Sequence, residues 1–116
     1  MNYSQLSDFE INRMVGDIIF KGLWACRPET SGNNTNKWYY GNADTSLGPL
    51  NSLPDYCNAP ADAWPIIIEN KINIVFFSNG SLAQFYQYGE ESVEYAHVNP
   101  LRAAMIVFLM MKESEI

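Results

Sequence analysis

The sequence is poor in positive charge and gathers none of it: three Arg and four Lys stand against thirteen Asp and Glu, giving a net charge of −6 over 116 residues. The cations are scattered from Arg13 to Lys112 without a run. Binding through phosphate neutralisation needs clustered Lys and Arg, so duplex nucleic acid and anionic membrane are poor candidates as partners. Histidine occurs once, as His97, and cysteine twice, as Cys26 and Cys57. A Ser or Cys nucleophile normally takes a His base, and a zinc site needs paired Cys or a second His at helical spacing. Neither pattern is present, no Gly-rich phosphate loop occurs, and no metal or cofactor is implied. Two cysteines are too few for a disulfide framework, and the polar N-terminus is unlike a secretory signal, so reduced thiols in a cytosol are expected. The most apolar window, Ala103 to Met111, is about half of a bilayer-crossing length.

What is present is material for one core: 47% hydrophobic residues, 14% of the chain aromatic. One domain over 1–116 is the expectation. Ser7 and Glu10 form a capping box for a first helix, with Ile11, Met14, Val15 and Ile18 on one face and Gly22 as its stop. From Arg27 to Pro54 the chain turns to Ser, Gly, Asn, Thr and Pro around Trp38, Tyr39 and Tyr40. This reads as a long loop with one short strand, of the kind that often binds. A second helix runs to about Asn70 with Asp55 or Asn58 as cap and Pro60 in its first turn; Pro65 either kinks it or begins it, and both versions bury Ile67 and Ile68. Ile72–Phe77 and Leu82–Gln87 form a hairpin turning at Asn79-Gly80, and Ser92–Val98 adds a third strand. Asn99 caps a last helix with Pro100 at its first position. That helix is apolar on more than one side, which makes it either central to the core or shared with a second copy in a homodimer. The fold class is α+β: a small α/β sandwich with a three-stranded antiparallel meander and about three helices.

Few residues point to chemistry. Asp55 and Asp62 pair as carboxylates only by proximity, and capping roles account for both. His97, beside a helix cap, reads as a hydrogen-bonded structural imidazole. Arg102 sits where the helix dipole disfavours a cation. It either holds an anion together with the free amides after Asn99, or forms an internal salt bridge with Asp55, Asp62 or Glu69. Trp38 and Tyr40, in an Asn-rich loop, either stack on a base or pack on the sheet.

Three blocks, MNYSQLSDFEINRMV, DYCNAPADAWPIIIENKINI and NPLRAAMIVFLMM, resemble the phage NinX-like family in the family's order and cover nearly half of the chain. The resemblance implies a small accessory protein of tailed phages of enteric bacteria, working in the host cytoplasm and built as a phage α/β sandwich domain. The family signature falls on Asp55, Tyr56, Asp62, Trp64, Pro65, Asn70, Asn99, Pro100 and Arg102, and no catalytic assignment comes with it. The helix, hairpin, strand and helix from Asn58 onward match the double-stranded RNA-binding topology in outline, without that domain's basic last helix. The expected function is a non-catalytic, anti-defence sponge that sequesters a nucleotide-type signalling molecule, with Arg102 and Asn99 at its phosphate, Trp38, Tyr40 or Trp64 on its base, and Asp62 and Tyr56 beside them. The rival is an acidic inhibitor or adaptor that grips a host or phage protein. An enzyme using His97 or Asp62 comes third.

Overall fold

Residues 2–21, 24–26, 39–41, 51–86 and 91–113 are described by the computed structural model, the side chains at 24–26, 39, 41 and 51 excepted. After a 3-10 turn at Tyr3–Gln5, helix α1 spans Asp8–Ile19. The Ser7 hydroxyl accepts from the Glu10 amide and the Glu10 carboxylate accepts from the Ser7 amide, completing the capping box. Ile11 and Val15 are buried, with Met14 and Ile18 packed partly against the same core.

The expected loop from Arg27 to Pro54 contributes two short strands rather than one, β2 (Tyr39–Gly41) and β3 (Asn51–Ser52), which follow β1 (Trp24–Cys26) and pair antiparallel in the order β1-β2-β3. Gly16 of α1 is the reason this small sheet can approach: a Cβ there would lie 2.7 Å from the Tyr40 hydroxyl and 2.8 Å from Leu53 Cδ1. Tyr40 lies over that glycine, its ring stacked on Phe20 with centroids 4.7 Å apart.

Helix α2 spans Pro60–Glu69 with Pro60 in its first turn and Pro65 inside. The proline at 65 forfeits one backbone bond to the preceding turn without ending the helix. The cap position is Ala59, not Asp55 or Asn58, and it makes no side-chain cap. Ile67 is buried as expected, but Ile68 faces outward and is exposed. At the C-terminus Lys71 takes φ 57°, the left-handed region, so that the Ile72 amide reaches the Ile67 carbonyl at 3.0 Å. Ile72 and Ile67 are both buried there, the apolar contact that accompanies this type of helix end.

Strands β4 (Asn73–Phe77), β5 (Gly80–Phe85) and β6 (Val93–His97) form the antiparallel meander. The turn lies one residue earlier than Asn79-Gly80, because Phe77 pairs with Gly80 and leaves Ser78 and Asn79 as the loop. Neither they nor Gly80 takes positive φ. Ile74, Ala83 and Tyr95 stand in one cross-strand row on the inner face. Helix α3 (Pro100–Glu113) packs on β5 and β6 with that face and meets α1 and α2 on its other sides. Every residue from Arg102 to Leu109 is buried. The apolar character of this helix is thus satisfied within the chain, which removes the sequence-based reason for a dimer built on it.

Candidate functional site

The start of α3 is where the sequence placed a ligand, and its groups are engaged with one another. The Asn99 side-chain oxygen accepts from the amides of Leu101 at 2.9 Å and Arg102 at 3.3 Å. Its amide nitrogen donates to the Cys57 carbonyl at 2.7 Å, tying the cap to the turn before α2. His97 Nδ1 accepts the Asn99 backbone N–H at 2.9 Å, a structural use of the imidazole.

Arg102 is 6% exposed and turns inward. Its Nη1 donates to Asp8 Oδ1 at 2.7 Å, and its Nη2 to the carbonyls of Tyr3 at 3.1 Å and Leu6 at 2.6 Å. The salt bridge is therefore internal, but its partner is Asp8 rather than Asp55, Asp62 or Glu69. Hydrogen bonding from Arg102 holds the Asp8 carboxyl below its ordinary pKa, against the opposing effect of burial, with Asn58 assisting. The guanidinium acts as a clasp on two carbonyls ahead of α1, that of Leu6 and that of Tyr3, which also accepts the Leu6 amide at 3.1 Å.

Asp55 and Asp62 of the signature extend this network through Asn12 and Asn58. Asn12 is buried; its Nδ2 donates to Asp55 Oδ1 at 2.9 Å, and its Oδ1 accepts the Cys57 amide at 3.0 Å. Asp55 Oδ1 also accepts from Asn58 at 3.1 Å, and the Asp55 amide donates to Asp62 Oδ2 at 3.1 Å. Asp62 thus braces the turn. Tyr56 is 3% exposed and Cys57 fully buried. Burial, with Asp62 nearby, pushes the Tyr56 phenol up to about 12. Burial above all, then the charge of Asp8, pushes the Cys57 thiol up to about 12, so it stays protonated and unreactive at neutral pH.

Of the residues expected to bind a ligand, Asn99, Arg102, Asp62 and Tyr56 come together, but in a structural brace in which Arg102 and Tyr56 are buried and Asn99 and Asp62 half-buried. Tyr40 does not join them; it is 1% exposed, and its hydroxyl donates to Asp17 at 2.8 Å. Stacking by Tyr40 on a base is replaced by stacking on Phe20. Trp64 is exposed on α2, one turn before the exposed Ile68. Trp38 lies outside the described residues. Sequence reasoning missed Asp8 and Asn12, although a polar residue next to Ile11 on the apolar side of α1 was a signal for Asn12.

It also missed the open surface. Cross-strand register places Val75, Leu82 and Ala96 in one row on the face of the meander away from α3, between a polar row of Asn73, Gln84 and Glu94 and the apolar end formed by Phe77 and Val98. Val75, Phe77 and Val98 are exposed large hydrophobics. A groove of about 350 Å³ lies at this end, lined by Phe77, the residues from Asn79 to Leu82 and those from Ala96 to Val98. Among the described residues no Lys or Arg lines it. Among the described residues no group of three or more His, Cys, Asp or Glu is placed to hold a metal, and no helix is long and apolar enough to cross a membrane.

These features define a small α+β protein in which Asp55, Asp62, Asn99 and Arg102 brace the fold. The family described as Bacteriophage P22, NinX matches residues 2–112, and the chain belongs to that family. Comparison with curated proteins and with solved structures found no match.

Proposed function

We propose that the chain is a non-catalytic phage accessory protein that works by holding a host or phage protein against the open face of β4–β6. The observation that carries this reading is the apolar row Val75, Leu82 and Ala96, continued by Phe77 and Val98, on a sheet face that no helix among the described residues covers. Apolar surface of this kind, rimmed by polar residues, is typical of interaction sites. The partner fitted to it carries an apolar patch flanked by Lys or Arg, which would meet Glu94 on the rim and a net charge of −6.

Sequestering a nucleotide signal to counter host defence is the second reading, and the groove favours it: about 350 Å³ is at the small end for ligand pockets, with the Phe77 ring and Asn79 to take a base. The helix start first expected to hold phosphate has its first amides capped by Asn99 and its Arg102 committed to Asp8, Tyr3 and Leu6. With no Lys or Arg among the described residues of the groove either, a phosphorylated ligand gains little there, and the protein partner is the better fit.

Native mass spectrometry of the tagged chain recovered from phage-infected cells tests the two readings. A stoichiometric protein partner, lost on Val98→Lys and kept on Trp64→Ala, supports the first. A small molecule released on denaturation, with no protein partner, replaces it by the second; a protein partner indifferent to Val98→Lys refutes the assignment of the face.

A further inference from the structure

Strand β4 forms one edge of the meander, and among the described residues no strand pairs with its outer side. Edge strands usually carry a charge, a proline or a bulge that discourages pairing with another chain. The other edge, β6, has Glu94 at its second position. The β4 residues, Asn73, Ile74, Val75, Phe76 and Phe77, include no charge and no proline, and the pairing with β5 has no bulge. Phe76 is on the inner side of the sheet by register, yet it is 71% exposed. A phenylalanine left in water on an unprotected edge is unexplained by the fold of one chain.

We infer that β4 pairs antiparallel with β4 of a second copy, across a two-fold axis at Val75, joining two meanders into one six-stranded sheet. The strand is self-complementary for this pairing. Phe77 and Gly80 close a two-residue hairpin loop, so they form a hydrogen-bonded pair, and alternation assigns Asn73 and Val75 to the same ladder. The N–H and C=O groups of Ile74 and Phe76 therefore point outward. In the two-fold arrangement Ile74 faces Phe76 of the partner at both hydrogen-bonded positions, and Val75 faces its own copy. Four backbone hydrogen bonds form, and the two Phe76 rings gain apolar neighbours. The like charge of two acidic chains is kept away from the seam, because β4 contributes none. Strands of this length bury on the order of 500 Å² per copy, below the ~800 Å² per partner of a standard interface, so the dimer is expected to be weak, in the micromolar range or above. The pairing leaves Leu82, Ala96 and Val98 uncovered and extends the docking face proposed above across both copies.

Sedimentation velocity over a concentration series, with hydrogen exchange at both ends of it, tests this pairing. The expected result is a reversible monomer–dimer equilibrium in which the amides of Ile74 and Phe76 gain protection at high concentration. Phe76→Lys, at an exposed side chain, is expected to give monomer at every concentration with an unchanged melting temperature, and Phe76→Pro, which removes one outward N–H, to do the same. Val98→Lys is expected to dimerise normally while losing the protein partner, which separates failure of the docking reading from failure of this one. A wild-type chain that stays monomeric into the millimolar range, or a dimer that survives both Phe76 variants, overturns the inference.

Discussion

Replacing Arg102 by Met keeps most of the aliphatic stem and removes the guanidinium, which isolates what its hydrogen bonds contribute. Three are lost: one to the Asp8 carboxylate at 2.7 Å and two to the carbonyls of Tyr3 and Leu6 at 3.1 and 2.6 Å. Hydrogen bonds to a charged group contribute roughly 1.5–3 kcal/mol each; without the guanidinium the Leu6 carbonyl loses its partner, while the Tyr3 carbonyl keeps the Leu6 amide. Asp8 is 44% exposed at its side chain, so water replaces much of what it loses and its share is discounted. The two carbonyls then dominate, and the expected loss is about 3 kcal/mol, a fall in melting temperature of roughly 10–15 °C for a chain of this size. Hydrogen exchange should locate the damage in residues 2–7, which the guanidinium clasps. Acid sensitivity follows from the same contact. The Asp8 carboxyl titrates lower when folded than when unfolded, so its contribution is complete above the ordinary carboxylate pKa and is lost as pH falls through the lowered folded value. Calorimetric melting between pH 7 and pH 2 should therefore show a steeper acid loss in wild type than in Asp8→Asn. An Arg102→Met chain that melts within about 3 °C of wild type, with an unchanged pH profile, would refute the clasp and return the guanidinium to the phosphate-binding role.

The other expectations are local. Gly16→Ala places a methyl 2.7 Å from the Tyr40 hydroxyl and 2.8 Å from Leu53 Cδ1, and should destabilise by about 1–3 kcal/mol in urea unfolding; a neutral result would mean that β2 does not pack on α1 as described. Lys71→Gly should stabilise by about 0.5–1 kcal/mol, because φ 57° is strained for lysine and free for glycine, and a loss of stability in the same assay would contradict the helix ending. Cys57, with its thiol raised to about 12 and fully buried, should resist a thiol reagent at pH 8 until the chain unfolds. Rapid labelling in the native state, followed by mass mapping to Cys57, would disprove that burial.

Periodicity and capping carried the meander and the three helices because those signals are local. Ser7 and Glu10 define the start of α1 within one turn, and Asn99-Pro100 the start of α3, regardless of the rest of the chain. The failures occur where a tertiary contact decides. Tyr40 reads as a loop aromatic until Gly16, twenty-four positions away, supplies the space into which it packs. Asp55, Asp62 and Glu69 were the nearer acids in expectation, whereas the partner that Arg102 takes is 94 positions distant. Ile68 and Ile67 are equivalent as residue types, and only the direction from which α3 meets α2 decides which is buried.

That division also explains why family membership leaves the function open. The signature positions Asp55, Tyr56, Asp62, Asn99 and Arg102 fall in a single brace that fastens three parts of the chain: the segment leading into α1, the turn ahead of α2 and the start of α3. Residues used this way are hard to replace, since Asp62, Asn99 and Arg102 each satisfy backbone groups, Asp55 holds Asn12 and Asn58, and Tyr56 is buried among them. Surface residues such as Val75, Phe76, Leu82 and Val98 carry no such obligation towards the fold of one chain. They can be chosen for what they meet outside it. A signature built from the brace therefore identifies the fold, and the partner proposed above is to be tested where the signature is silent, on the open face and edge of the meander.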